Sequence, residues 1–255
     1  MSRRAVIFDL DDTLIVEEAF AMESLRAAIA TFPGVDPVAS QADALEAVRS
    51  VWRTGPDYPL AVALGLASWE GLWSTFEGND PCMAGLHAWA PTYRVAAWDA
   101  VAAHFDADDP TLATTAAAVF EGAQRAGHPN IAGMEEALDG VRSRHPVGLL
   151  TNGSSDLQRL KLDQAGLAGA FGTVVVSGEV GVGKPQPAVF GLALERLGAD
   201  AGASVMVGDS WERDVEGGLA AGMTAVWIAA GRTPPAEDPR VTVVDSVRDL
   251  ADALD

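Results

Sequence analysis

Six short apolar runs punctuate the chain, and most do not alternate with polar residues. They are "AVIF" (5–8), "PVGLLTN" (146–152), "FGTVVVS" (171–177), "SVMVGD" (204–209), "TAVWIA" (224–229) and "VTVVD" (241–245). Unbroken runs of this length predict strands buried on both faces, as in a parallel sheet. Between them lie amphipathic helical patterns: "GMEEALDGVRSR", "SSDLQRLKLDQAG", "PAVFGLALERLG" and "SWERDVEGGLAAG". Several close on Gly, as helix C-termini commonly do. This alternation predicts an α/β fold with a Rossmann-like, doubly wound parallel sheet.

Residues 16–126 break the rhythm. No strand run occurs there, only helical patterns ("EEAFAMESLRAAIATF", "ASQADALEAVRSVW", "YRVAAWDAVAAHF", "PTLATTAAAVFEGAQ") separated by Pro and Gly. The division expected is therefore an α/β domain of residues 1–15 and 127–255, interrupted after its first strand by an all-helical module over 16–126. That module holds both tyrosines and five of the seven tryptophans, Trp52, Trp69, Trp73, Trp89 and Trp98. Aromatics at helical spacing read first as bundle core.

Composition narrows the function classes. Seventeen basic against 36 acidic residues give a net charge of −19, which repels polyphosphate backbones and argues against nucleic acid as partner. The apolar start breaks at Asp9, so no secretory signal is expected, and "YPLAVALGLASW" is shorter than the ~20 apolar residues that span a bilayer. A cytoplasmic protein without membrane contact is the expectation. The single cysteine, Cys82, excludes an internal disulfide framework. Only Lys161 and Lys184 are lysines, against 15 arginines, so each lysine merits inspection.

In a doubly wound sheet, ligands bind outside the carboxyl ends of the strands. Those ends carry Asp9, Asp11, Asp12 and Thr13, then Thr151, Asn152 and Gly153, then Asp209 and Ser210, with Asp214 on the following helix and Lys184 in "GVGKPQP". Aspartates converging on one edge repel each other unless a cation intervenes. A hard divalent ion held by oxygens, Mg²⁺ beside phosphate, meets that need together with Lys184.

"DLDDTL" (9–14), "LLTNG" (149–153), "GKP" (183–185) and "GDSWERD" (208–214) resemble, in order and spacing, the four signatures of the haloacid dehalogenase superfamily. The helical module after the first strand resembles that family's C1 cap. The resemblance implies that Asp9 is the nucleophile, forming an aspartyl-phosphate, and that Asp11 is the general acid and then base. It implies Mg²⁺ held by Asp9, the Asp11 backbone carbonyl, Asp209 and Asp214. Thr151, the backbone at Asn152 and Gly153, and Lys184 would hold the phosphoryl oxygens, and Thr13 would brace the turn beside the substrate.

Dehalogenating relatives typically lack the second aspartate, so Asp11 favours phosphoryl transfer. Phosphonate cleavage uses a cap lysine, and this module has none. A phosphatase acting on a small phosphorylated metabolite is the expected function. Two alternatives stay open: an intramolecular sugar phosphomutase and a catalytically silent binding protein. Arg26, Arg49, Arg53 and Arg94 of the module could meet a second anionic group, whereas Glu17 and Glu18 at its hinge could meet an amine or hydroxyls. The acidic, aromatic-rich module leans toward a neutral or cationic leaving group. Oligomeric state is not legible in the sequence.

Overall fold

The computed structural model describes residues 4–254. Its strands are β1 (Val6–Phe8), β2 (Val147–Thr151), β3 (Thr173–Val176), β4 (Val205–Gly208), β5 (Thr224–Ile228) and β6 (Val241–Val244). All pair in parallel in one sheet of order β3-β2-β1-β4-β5-β6. All six apolar runs form strands. The helices are α1 (Glu18–Ile29), α2 (Gln41–Trp52), α3 (Tyr58–Ala63), α4 (Ser68–Gly71), α5 (Ala84–His104), α6 (Thr111–Ala126), α7 (Met134–Arg142), α8 (Ser155–Gln164), α9 (Ser177–Val180), α10 (Pro187–Leu197), α11 (Gly217–Ala220) and α12 (Leu250–Ala253).

The unbroken apolar runs follow from double coverage. Val6 and Phe8 of β1 pack with Met134 and Leu138 of α7 on one face, and Ile7 packs with Phe190 of α10 on the other. Strands β2 and β4 divide the same way, with Leu149 and Val207 on the α7 side and Leu150 and Met206 on the α10 side. Strand β6 is the sheet edge, and its Val243 is exposed.

From α1 to α6 every regular element is helical. Trp52, Trp73, Tyr93, Trp98 and Phe120 form the interior of this insert, and fully burying each large side chain is worth roughly 1.5–3 kcal/mol. Leu157 of α8 joins the same cluster, so the insert is seated on a helix of the α/β part. Helix α5 starts at Ala84 and runs through Pro91, where the sequence pattern predicts a break. Burial of Leu86, Ala90 and Tyr93 on either side of the proline outweighs the one hydrogen bond it removes. No helix among the described residues is long and apolar enough to cross a membrane.

Candidate active site

Register brings the carboxyl ends of β1 and β4 together: Phe8 pairs with Val207, and the Asp9 N–H donates to the Val207 carbonyl at 2.9 Å. Asp9 and Asp209 therefore emerge side by side at the sheet edge. Asp214 reaches the same point from below, on a π-helical turn over Trp211–Glu216. That turn is capped by the Ser210 hydroxyl, which accepts from the Arg213 N–H at 3.3 Å. Gly208 makes the approach possible, because a Cβ there would lie 2.3 Å from the Asp214 carboxyl.

Lys184 is buried among these groups. Its Nζ lies 2.7 Å from Asp9 Oδ1 and donates to Asp214 Oδ1 at 2.6 Å. Burial alone would lower the ammonium's pKa, but Asp214 and Asp9 outweigh it and raise it. Burial is the largest influence on Asp9 and lifts its carboxyl well above the ordinary range, with Lys184 pulling the other way. Burial, reinforced by Asp214 and Asp12, pushes Asp209 up to about 6, although Arg232 Nη2 sits 3.3 Å from its Oδ2.

One buried lysine and an exposed arginine thus serve three crowded acids. Carboxylate oxygens of Asp9, Asp209 and Asp214 come within 4.8 Å of one another, a hard-oxygen donor set that fits a divalent cation. A bound cation would favour the ionised forms of Asp9 and Asp209 against the upward push of burial, so charge as well as donor chemistry fits a metal.

The other lysine forms a second centre next to the first. Lys161 on α8 is fully buried, with its Nζ 3.1 Å from Asp11 Oδ1, 3.2 Å from Glu17 and 3.5 Å from Glu70. Gln158, one turn earlier, donates to Asp11 Oδ2 at 2.9 Å and to the Thr151 hydroxyl at 2.6 Å. The Asp11 carboxyl is therefore held at both oxygens from one helix. Glu17 also meets His128 Nε2 at 2.8 Å and accepts from the Trp69 indole at 3.1 Å. Burial raises the Glu17 pKa, but Lys161 and His128 overcome it and hold it down at about 2. For Glu70 burial wins, and its carboxyl stands at about 7.

A cavity of ≈ 540 Å³ opens over both centres. Of the sequence-predicted site residues, Asp9, Asp11, Asn152, Lys184 and Asp209 line it. Asp214 lies behind Lys184, and Thr151 lies beneath Asp11, bridged to it by Gln158. Asn152 clamps the lysine loop: its amide donates to the Lys184 carbonyl at 2.9 Å and accepts from the Lys184 N–H at 2.8 Å.

Thr13 and Gly153 are not in the cavity lining. Thr13 is fully buried, and its hydroxyl has no hydrogen-bond partner among the described residues. The brace of the turn is Asp12 instead. At φ 55° its carboxylate accepts from the N–H groups of Glu17 and Glu18 at 3.0–3.3 Å, capping the entry to α1. Gly153, at φ 146°, gives its N–H to the Ser177 hydroxyl.

Glu17 is occupied by Lys161 and His128, so it has no free carboxylate for a substrate amine. Trp211 lines the cavity, its ring edge-on to Trp227 at 5.3 Å. The sequence reading missed Lys161, Gln158, Glu70 and Arg232 as site residues. The scarcity of lysine was the one signal pointing at the first of them.

The haloacid dehalogenase-like hydrolase family model matches residues 3–222. A phosphoserine phosphatase of Thermus thermophilus is 34% identical over 252 residues, covering 98% of each chain. The pyrimidine 5'-nucleotidase YjjG of Escherichia coli is 37% identical over 124 residues, 48% of this chain and 55% of that protein. Among solved structures, the HAD-hydrolase YfnB of Bacillus subtilis bound to magnesium superposes with a TM-score of 0.67 at 21% identity, covering 100% of both chains. With those matches added to the four loops gathered at one sheet edge, the chain belongs to the haloacid dehalogenase-like hydrolase family and is a phosphatase-type member of it.

Proposed function

We propose that the protein is a cytoplasmic, Mg²⁺-dependent phosphatase that hydrolyses a small-molecule phosphate monoester through an aspartyl-phosphate on Asp9. The observation that carries this reading is Lys184 clamped between Asp9 and Asp214 beside Asp209, with a firmly held Asp11 on the neighbouring wall. A carboxylate attacks a phosphate dianion only where their repulsion is neutralised, and Lys184 supplies part of that charge.

In the first half-reaction an Asp9 carboxylate oxygen bonds to phosphorus, and the bond to the leaving oxygen breaks. Asp11 donates the proton that the leaving alkoxide needs. In the second, Asp11 takes a proton from a water molecule, the water oxygen bonds to phosphorus and the bond from Asp9 to phosphorus breaks, which releases inorganic phosphate and restores Asp9. Asp9, Asp209 and Asp214, with the Asp11 carbonyl, would hold Mg²⁺, which when bound adds positive charge against the phosphoryl oxygens.

The helical insert, residues 16–126, acts in this reading as a cap over the residue 1–15 and 127–255 domain. It walls the cavity, keeps bulk water from the phosphoenzyme and contacts the leaving group. The whole-length phosphatase relative supports this reading over phosphomutase, and the filled reactive positions argue against a silent binding protein. The test is hydrolysis of p-nitrophenyl phosphate with Mg²⁺ and after chelation. Turnover that needs the metal is expected, and turnover that survives complete chelation would overturn the reading.

A further inference from the structure

The cap contributes arginines to the cavity, and they differ in whether anything already engages them. Arg26 bonds the Gln41 side chain at 2.6 Å, and Arg94 bonds the Ser74 carbonyl. Neither lines the cavity. Arg53 also lines the cavity but is exposed, with Glu46 paired to it at 2.5 Å. Arg49 lines the cavity, is half-buried and has no side-chain hydrogen bond or ion pair with any described residue. The acid whose pKa it helps to lower, Glu46, is the one Arg53 already holds.

The other cations of the cavity carry the same contrast. Lys184 is committed to Asp9 and Asp214, and Arg232 to Asp209. Arg213 has no carboxylate partner but is exposed on the α/β side. A guanidinium has five donors, and a half-buried one in a chain with 36 acids is ordinarily paired. One left open on the cap wall of a phosphatase cavity is a vacancy for an anion, and the forked donor geometry matches a planar carboxylate.

Resting on the phosphatase reading, we propose that Arg49 binds a carboxylate on the leaving group, so the substrate is the phosphate monoester of a small hydroxy acid or hydroxy-amino acid. This reverses the lean toward a neutral or cationic leaving group drawn from the cap's acidity. Most of the acids near the cavity are internally engaged: Glu17 and Glu70 by Lys161, and Asp12 by the start of α1. A second phosphate is the poorer fit. Its roughly doubled charge would have one free half-buried guanidinium to offset it.

The test compares kcat/KM, in the presence of Mg²⁺, for four phosphate esters. O-phosphoserine carries a carboxylate and an amine, 3-phosphoglycerate a carboxylate alone, phosphoethanolamine an amine alone and glycerol phosphate neither. The full-length chain should favour the two carboxylate esters by about ten- to a hundredfold, the range for a charge-assisted hydrogen bond. In Arg49→Met that ratio should fall to within about threefold of unity, and Arg49→Lys should restore part of it. Arg26→Met, on an arginine outside the cavity, should keep the native ratio.

Preference for phosphoserine or for phosphoglycerate would identify which acid class the site takes. A native chain that ranks all four alike, or an Arg49→Met chain that keeps the preference, overturns the assignment. Failure of the native chain on p-nitrophenyl phosphate with Mg²⁺ is a separate result, and it would remove the phosphatase reading and this inference together.

Discussion

The chain's two lysines are both buried and both surrounded by carboxylates, yet they hold different things. Lys184 sits between Asp9 and Asp214, so its partners come from the sheet edge and a turn of the α/β part alone. Lys161 meets Asp11 of the α/β part together with Glu17 and Glu70 of the insert. The first centre neutralises charge where phosphoryl transfer would occur. The second ties Asp11, the proton-transfer group of the proposed reaction, to the seat of the insert. Burying an ammonium costs several kcal/mol unless it is paired, so each site commits that cost to a geometry. Local chemistry fixes one geometry, and the fit between the α/β part and the insert fixes the other.

The largest effect expected on either side comes from the acid that Lys184 faces. Asp9→Asn keeps the size of the side chain and removes the proposed nucleophile, so turnover of p-nitrophenyl phosphate should fall by about 10⁴-fold or more. Full activity in that variant would remove the reason for Lys184's placement. Lys184→Met comes next. Loss of its preorganised charge should lower kcat by about 10²–10³-fold, and thermal unfolding should report lost stability, because Asp9 and Asp214 become an unpaired buried pair.

Lys161→Met is expected to be milder in catalysis. Asp11 keeps its bond from Gln158, so kcat should drop by about 10- to 100-fold, part of what general acid–base catalysis supplies, with KM for a small aryl phosphate nearly unmoved. Rapid-quench measurement should find the phosphoenzyme longer-lived, and Lys161→Arg should recover part of the rate. A Lys161→Met chain as impaired as Lys184→Met, with both half-reactions slowed alike, would erase the distinction between the two centres.

The same contrast explains what the sequence made legible. Asp9, Asp209 and Lys184 follow apolar runs at strand ends or open a helix, so hydrophobic periodicity alone gathers them at one edge. The partners of Lys161 are not gathered that way: Glu70 is 91 positions distant and lies on the four-residue helix α4, whose place depends on how the insert packs. The open state of Arg49 is likewise visible only once Arg53 is seen to occupy Glu46. Thr13 misled for a related reason. Its motif position marks the turn, but the carboxylate that caps α1 belongs to its neighbour Asp12, turned outward by a positive φ. Contacts within one α/β unit are written locally, whereas contacts between insert and sheet are written by packing.

The smallest effect is the most discriminating, because it asks how Lys161 divides its charge. Glu17 and Glu70 share that ammonium, yet Glu17 stands at about 2 and Glu70 at about 7. A carboxyl whose folded pKa is lowered adds stability above its unfolded value near 4.5, and that contribution is lost as pH falls toward 2. A carboxyl raised to about 7 binds more protons folded than unfolded between 4.5 and 7, so it subtracts stability as pH rises through that window. Glu17→Gln should therefore destabilise the protein at pH 8. Glu70→Gln should stabilise it there by on the order of 1–3 kcal/mol and change little at pH 5. Urea midpoints at the two pH values measure both. If the two variants lose stability equally at pH 8, Lys161 neutralises both carboxylates alike, and the insert is held to α8 by a balanced ion cluster in which Glu70 carries no penalty.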